Sequence, residues 1–130
     1  MNSPPKDTGL VSARAPRPLG PYPHARRVGN LLFLSGIGPR HRVTEAIPEG
    51  IEAQARACIE NVKAILEDAG SALERVVDVT VFLTDIDRDF AAFNRVYGEF
   101  FAAIRPTRTT VGVVALPVPI SIELKVIAEV

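Results

Sequence analysis

Apolar residues recur at three- and four-residue steps in two stretches of the chain and alternate or run together in several others. Over residues 48–70, Ile51, Ala55, Cys58, Ile59, Val62, Ile65, Leu66 and Ala69 fall on one face of a 3.6-residue helix. Glu52, Arg56, Glu60, Lys63 and Glu67 take the other face, and Gly70 supplies a C-terminal stop. A second helix is predicted over 85–104, with Asp85 or Asp87 as its cap and Phe90, Phe93, Val96, Tyr97, Phe100, Phe101 and Ile104 as its stripe. Asn94 sits one step off that stripe, and Arg105-Pro106 ends the helix.

The remaining patterned stretches read as strands. Gly29-Asn30 is a two-residue hairpin turn between Arg26-Arg27-Val28 and a buried run over 31–34. Residues 76–83 are mostly apolar and β-rich, as in a central strand. Arg105-Pro106-Thr107-Arg108-Thr109-Thr110-Val111-Gly112-Val113 opens another strand. On the last, Ile120, Ile122, Leu124, Val126 and Ala128 share one face while Ser121, Glu123, Lys125 and Ile127 share the other. The order is β-β-α-β-α-β-β, an α+β arrangement with two helices on one face of a mixed sheet of four to six strands. The last two strands, joined by Leu116-Pro117-Val118-Pro119, are expected to be neighbours in a hairpin. The sheet's second face is apolar enough to need a cover, which a chain of this size finds only in further copies of itself.

Residues 1–17 have no periodicity and read as a flexible leader to a single domain over 18–130. Leu19-Gly20-Pro21-Tyr22-Pro23-His24 is extended and stiff, since each proline fixes its own φ and restricts the residue before it. It points Tyr22 in one direction, either onto the core with its hydroxyl wet or into a site. Ser35-Gly36 and Gly38 follow the 31–34 strand, where glycine lets backbone or ligand come close.

Composition narrows the function. At 130 residues, 47% of them hydrophobic, the chain holds one core. No apolar run approaches the ~18–20 residues of a membrane span. With no signal-peptide pattern and one cysteine, Cys58, which falls on a core face, the expected location is cytoplasmic. The net charge of zero conceals an imbalance. Residues 1–42 carry seven basic residues and one acidic, leaving the rest with eight basic and 14 acidic. Phosphate-loop, dinucleotide and HExxH motifs are absent, and two histidines with one cysteine give no conventional zinc site. Arg108, Thr109, Thr110 and Glu123 remain, with Tyr22 and Asn94. A guanidinium suits a carboxylate because its planar fork donates two parallel hydrogen bonds, and a carboxylate beside it can take a proton from water. An Arg–Glu pair on adjacent strands is more often a salt bridge than a catalytic pair, and these residues alone leave both readings open.

Taken in order, the short motifs resemble the RidA/YjgF family of enamine/imine deaminases over 18–130. They are Leu19-Gly20-Pro21-Tyr22, Leu34-Ser35-Gly36, Ala53-Gln54-Ala55-Arg56, Asn61-Val62-Lys63-Ala64-Ile65-Leu66, Val79-Thr80-Val81-Phe82-Leu83, Asn94-Arg95-Val96-Tyr97-Gly98-Glu99-Phe100-Phe101, Arg105-Pro106-Thr107-Arg108 and Ile122-Glu123. The resemblance implies a chorismate-mutase-like fold and a homotrimer with its sheets packed inside and clefts between subunits, with hexamers left open. It implies no cofactor and no metal. Arg108 would hold a substrate carboxylate and Glu123 would orient or activate water, with Tyr22, Ser35, Gly36, Asn94 and Thr109 around the substrate. Thr110 stands where many members have cysteine, and its hydroxyl can still hold a water.

The implied reaction is hydrolysis of 2-amino-enoates to 2-oxo acids and ammonia. Tyr22-Pro23-His24, Arg26-Arg27-Val28-Gly29 and Arg108-Thr109-Thr110-Val111-Gly112-Val113 look closer to the 2-aminomuconate deaminase branch, whose second carboxylate the arginine-rich N-terminal third would meet. Two other readings stand beside this one. One is an RNA-directed, ribonuclease-like or translation-inhibitor-like protein using Arg26-Arg27 and Arg40-His41-Arg42, which zero net charge and the lack of interleaved aromatics disfavour. The other is a non-catalytic small-ligand-binding trimer.

Overall fold

The computed structural model describes residues 9–130. Strands β1 (Ala25–Val28) and β2 (Leu31–Leu34) form the hairpin. Helix α1 (Ile51–Asp68), a single 3₁₀ turn (Leu73–Arg75), β3 (Val76–Leu83), α2 (Ile86–Phe101), β4 (Thr107–Gly112) and β5 (Ile122–Glu129) follow. The five strands form one sheet in the order β1-β2-β5-β3-β4. Only β3 and β4 are parallel, as a crossover through a helix requires. The expected α+β fold, with two helices on one face of a mixed sheet, is the one observed.

The core lies between that face and the helices. Ala55, Cys58, Ile59, Val62, Ile65 and Leu66 of α1 and Phe93, Val96 and Phe101 of α2 are buried against Val79, Val81 and Leu83 of β3 and Ile122, Leu124, Val126 and Ala128 of β5. A fully buried aliphatic or aromatic side chain contributes roughly 1.5–3 kcal/mol, so these stripes dominate stability. The Cys58 thiol donates to the Ile37 carbonyl, and burial pushes its pKa far up. It is core filler, as the stripe predicts. Gln54, also buried, accepts from the Ser121 N–H at 2.7 Å and donates to the Pro48 carbonyl at 3.0 Å, which ties α1 to the start of β5.

Two expectations need correction. β4 and β5 are not a hairpin, because β3 lies between them, hydrogen-bonded to β4 on one side and β5 on the other. The β3-α2-β4 crossover places β4 along one edge of β3. The connection over 113–121 is long enough to cross the end of β3, held by Val113 N–H to the Leu83 carbonyl and Thr84 N–H to the Ser121 carbonyl. β5 thus enters the gap between β2 and β3.

The fixed part of the chain also begins earlier than Pro18. Leu10 bridges to Ala25, and Ala15 is buried in the core. Ser12 Oγ donates to Asp68, and Arg14 pairs with Glu67 and Asp68. These bonds hold the Asp68 carboxyl below the usual carboxylate range, the Ser12 bond contributing most. The first eight residues of the expected leader lie outside the described residues.

Asp85 is the helix cap. Its side chain accepts from the Arg88 N–H at 3.1 Å. Asp85→Ala is expected to cost about 1 kcal/mol, read as a lower urea midpoint at unchanged slope.

Candidate active site

The sequence candidates divide into two groups, and β5 explains the division. Its inward residues belong to the core, so Glu123 and Lys125 project onto the face that carries no helix. Glu123 lies opposite Phe82 of β3, which lies opposite Val111 of β4. Next to Glu123 the chain leaving β2 makes an isolated bridge, with Ile37 and Leu124 exchanging both backbone hydrogen bonds at 2.8 and 2.9 Å. Asn61 of α1 fixes the same stretch further on by donating to the carbonyls of Gly38 and Arg40. Gly36 is thereby pressed against the Glu123 side chain. A Cβ at Gly36 would lie 2.7 Å from Cδ and Oε2 of Glu123, so only glycine leaves the carboxylate in place. Ser35 Oγ donates to the Pro23 carbonyl at 2.7 Å, which draws the rigid 19–24 segment alongside.

Tyr22, Ser35, Gly36 and Glu123 line one open hollow of about 310 Å³. Tyr22 is 44% exposed and its hydroxyl oxygen accepts from the Leu19 N–H. The core-packed alternative for this tyrosine is therefore set aside. Glu123 is half-buried with no hydrogen-bond or ion partner among the described residues, and loss of solvent raises its pKa above the ordinary carboxylate range.

The second group lies on the other face. Arg108 is paired in register with Val79 and Thr110 with Val81, both core residues, so both side chains point towards the helices. The Arg108 guanidinium carbon lies 4.7 Å from the ring centre of Tyr97, 5.3 Å from Phe93 and 5.9 Å from Phe90. Asn94 is exposed on α2, four residues beyond Phe90 and three before Tyr97, and shares their flank. The Thr110 hydroxyl is buried without a hydrogen-bond partner, as is the Tyr97 hydroxyl. Thr109 is exposed on the open face with Glu123, but β3 lies between their strands.

Arg108 and Glu123 form no salt bridge. Two strand spacings and a three-residue offset along β4 place their backbones about 14 Å apart, and their side chains leave opposite faces of the sheet. The pairing expected on adjacent strands fails because β3 separates them. Within one chain, Arg108 and Asn94 are not brought to Tyr22, Ser35, Gly36 and Glu123.

Sequence reasoning missed the three rings around Arg108. The signal was available: Phe90, Phe93 and Tyr97 are spaced for one side of α2, and the crossover lays that side over β4. Part of the basic N-terminal third is paired with acids. Arg14 pairs with Glu67 and Asp68, Arg17 and Arg40 with Glu45, and Arg40 also donates to the Arg17 carbonyl. Ser12, His24 and Asp68 meet, but not as a triad. The Ser12 backbone N–H donates to Nδ1 of His24, whose Nε2–H donates to the Pro16 carbonyl, and the Ser12 hydroxyl is given to Asp68. Among the described residues no cluster of His, Cys, Asp and Glu could hold a metal ion, and no helix is long and apolar enough to cross a membrane.

A family profile described as Endoribonuclease L-PSP matches residues 12–130. The chain belongs to the L-PSP family, the group also called RidA/YjgF. It is 45% identical over 120 residues to a RutC family protein of Pyrococcus abyssi, covering 92% of this chain and 94% of that one. It is 42% identical to the Escherichia coli K12 protein named "Putative reactive intermediate deaminase TdcF", with the same coverage. The crystal structure of E. coli TdcF with bound serine superposes with a TM-score of 0.88 at 39% identity, covering 93% of this chain and 97% of that one. That of RidA from Psychrobacter sp. PAMC 21119 gives 0.90 at 37% identity, covering 96% and 100%.

The obstruction at Gly36 is the tip of a flexible side chain. Gly36→Ala is therefore expected to fold with little change in Tm while driving Glu123 outward into water. A ¹³C titration of the Glu123 carboxyl should then show its pKa falling back towards the ordinary range, and an unmoved titration would mean that Gly36 does not seat it.

Proposed function

We propose that the protein is a cofactor-independent enamine/imine deaminase that converts 2-amino-enoates to 2-oxo acids and ammonia. It would act as a homotrimer, with each site built from two copies. One observation supports this reading above the others: Arg108 and Glu123 each lack a charged partner among the described residues and face opposite sides of one sheet. A second copy bringing its Glu123 hollow to the Arg108 edge of the first would put both charges on one small molecule. The open face, which carries Phe33, Phe82, Val111 and Ile127 beside its polar residues, would gain its cover in the same step.

The chemistry asks little of the protein. The enamine tautomerises to an imine, whose C2 is already electrophilic. Arg108 fixes the carboxylate on C2 by a bidentate hydrogen-bonded pair. Glu123 takes a proton from water as its oxygen bonds to C2. It returns that proton to nitrogen to give the carbinolamine, then carries the hydroxyl proton to the same nitrogen as the C–N bond breaks, so that ammonia leaves and the carbonyl forms. A carboxyl whose pKa is raised by burial holds a proton more firmly than an ordinary carboxylate, which suits it to both halves of that transfer. Tyr22, Ser35, Gly36, Asn94 and Thr109 would shape the cleft. The Thr110 hydroxyl would act only on a water that reaches its buried side of β4.

The finer reading, 2-aminomuconate, asks for a second cation. Arg14, Arg17 and Arg40 are already paired with acids, so the open-face residues Lys125, two positions from Glu123, and Arg26, opposite Phe33, are better placed to supply it. The ribonuclease reading has less support. Arg40 is tied inward, His24 is bonded at both ring nitrogens, and Nδ1 of His41 accepts from the N–H groups of Val43 and Thr44.

The test is ammonia release from freshly generated 2-aminoacrylate and 2-aminomuconate. Arg108→Ala and Glu123→Gln are each expected to lose at least 10²-fold, and full turnover in either would remove that residue from the mechanism. Co-refolding the two variants in equal amounts should restore about a quarter of wild-type activity, since random assortment leaves that share of shared sites intact. No recovery would place the whole site in one chain.

Glu123→Gln also has a stability signature. A carboxyl whose folded pKa is raised favours the fold when neutral, and that contribution is lost as pH rises through the folded value. The variant should therefore gain Tm over wild type at pH 7, and the gain should vanish at pH 4.

A further inference from the structure

Arg108 has no ion pair among the described residues, yet its guanidinium is not loose. It lies among Tyr97, Phe93 and Phe90, with Tyr97 nearest at 4.7 Å. The Tyr97 ring is itself fixed, stacked on Phe101 at 4.5 Å and 27° and tilted against Phe93 at 5.5 Å. Resting on the proposed deaminase reading, we propose that Tyr97 is a positioning residue for Arg108, and that its ring, with those of Phe93 and Phe90, does the work that a structural carboxylate usually does for a buried arginine.

A carboxylate beside Arg108 would compete with the substrate for the guanidinium. A half-buried guanidinium needs something to fix it and to offset its lost hydration. An aspartate or glutamate would do both, but it would occupy the N–H fork and cancel the charge that recognises a substrate carboxylate. An aromatic ring attracts the cation through its quadrupole and has no carboxylate oxygen to fill the fork. Fixed by rings, Arg108 keeps its hydrogen-bonding edge for an anion and loses little side-chain freedom on binding it. The ring and not the hydroxyl carries the effect, since the Tyr97 hydroxyl has no hydrogen-bond partner.

A structural role and a positioning role make different predictions for Tyr97→Leu. Acting through Arg108, the substitution should weaken pyruvate binding about tenfold by calorimetric titration and raise KM for 2-aminoacrylate with little change in kcat. Tyr97→Phe, which keeps the ring, should bring both back to within about threefold of wild type. Neither Tyr97→Leu nor Phe90→Leu should weaken binding further once Arg108→Ala is present. An effect of Tyr97→Leu that persists undiminished in the Arg108→Ala background, or a Tyr97→Phe variant as impaired as Tyr97→Leu, would overturn the proposal. The Phe90 ring is 38% exposed at the rim, so Phe90→Leu carries the same cycle should Tyr97→Leu fail to fold. Pyruvate binding that obeys this cycle in a protein releasing no ammonia would sink the deaminase reading and leave the positioning role standing. Wild-type protein that binds no pyruvate would overturn the positioning role.

Discussion

The alternation along β5 is the constraint on which the rest depends. Ile122, Leu124, Val126 and Ala128 must face the helices, and the two-residue period then obliges Glu123 and Lys125 to face away. β5 is hydrogen-bonded to β3 over Ile122–Ala128 and to β2 over Ile127–Glu129. Its register therefore also fixes where Ile37 bridges to Leu124, and so where Gly36 meets the carboxylate. A slip of one residue would turn Glu123 into the core and four apolar side chains into water. The largest hydrophobic contribution to folding and the placement of a candidate catalytic group are thus set by the same interlock.

The same economy appears at β4. Arg108 and Thr110 point to the helix side because Val79 and Val81, their partners in register, are core residues. Most half-buried arginines meet an acid, and this chain has fifteen to offer. Arg40, the other half-buried arginine among the described residues, pairs with Glu45. Arg108 pairs with no acid among the described residues. α2 presents rings where it could have presented a carboxylate. On the opposite face Glu123 has no cation among the described residues, although Lys125 stands two residues away with its ammonium donating to the Leu34 carbonyl. Leaving two half-buried charges unpaired works against the fold of a single chain, and it makes sense where a ligand or another copy completes the pairs.

Much of this was legible in the sequence. The helical stripes over 48–70 and 85–104, the Gly29-Asn30 turn and the alternation after Ile120 are local signals. Each depends on spacing within one element, and each appears in the structure. What failed depended on contacts between elements. Leu116-Pro117-Val118-Pro119 looks like a hairpin loop because both flanks are strands. Nothing within 105–126 reveals that a third strand claims the space between them. Leu10 and Ala15 look like leader because the bonds that hold their neighbourhood, to Ala25 and Asp68, lie far along the chain. The site was legible as a set of residue types. Its division between two faces was not, because the face of β4 is set by β3.

That division also bears on how the open face should be understood. A face with Phe33, Phe82, Val111 and Ile127 alone would invite any apolar partner. Here Lys125, Thr80 and Thr109 form a polar row across β5, β3 and β4, with Glu123 in the next row. A partner must satisfy that row and fill the apolar positions around it, so the surface selects for shape and charge together. Another copy of the chain meets the charge requirement by its own composition, since its Arg108 guanidinium lies at the free edge of the sheet, on β4. Edge strands with unpaired backbone groups are usually blunted or covered. In a closed ring of copies one contact could cover the edge, the open face and both charges, and an arrangement that covered only one of them would leave the others as liabilities.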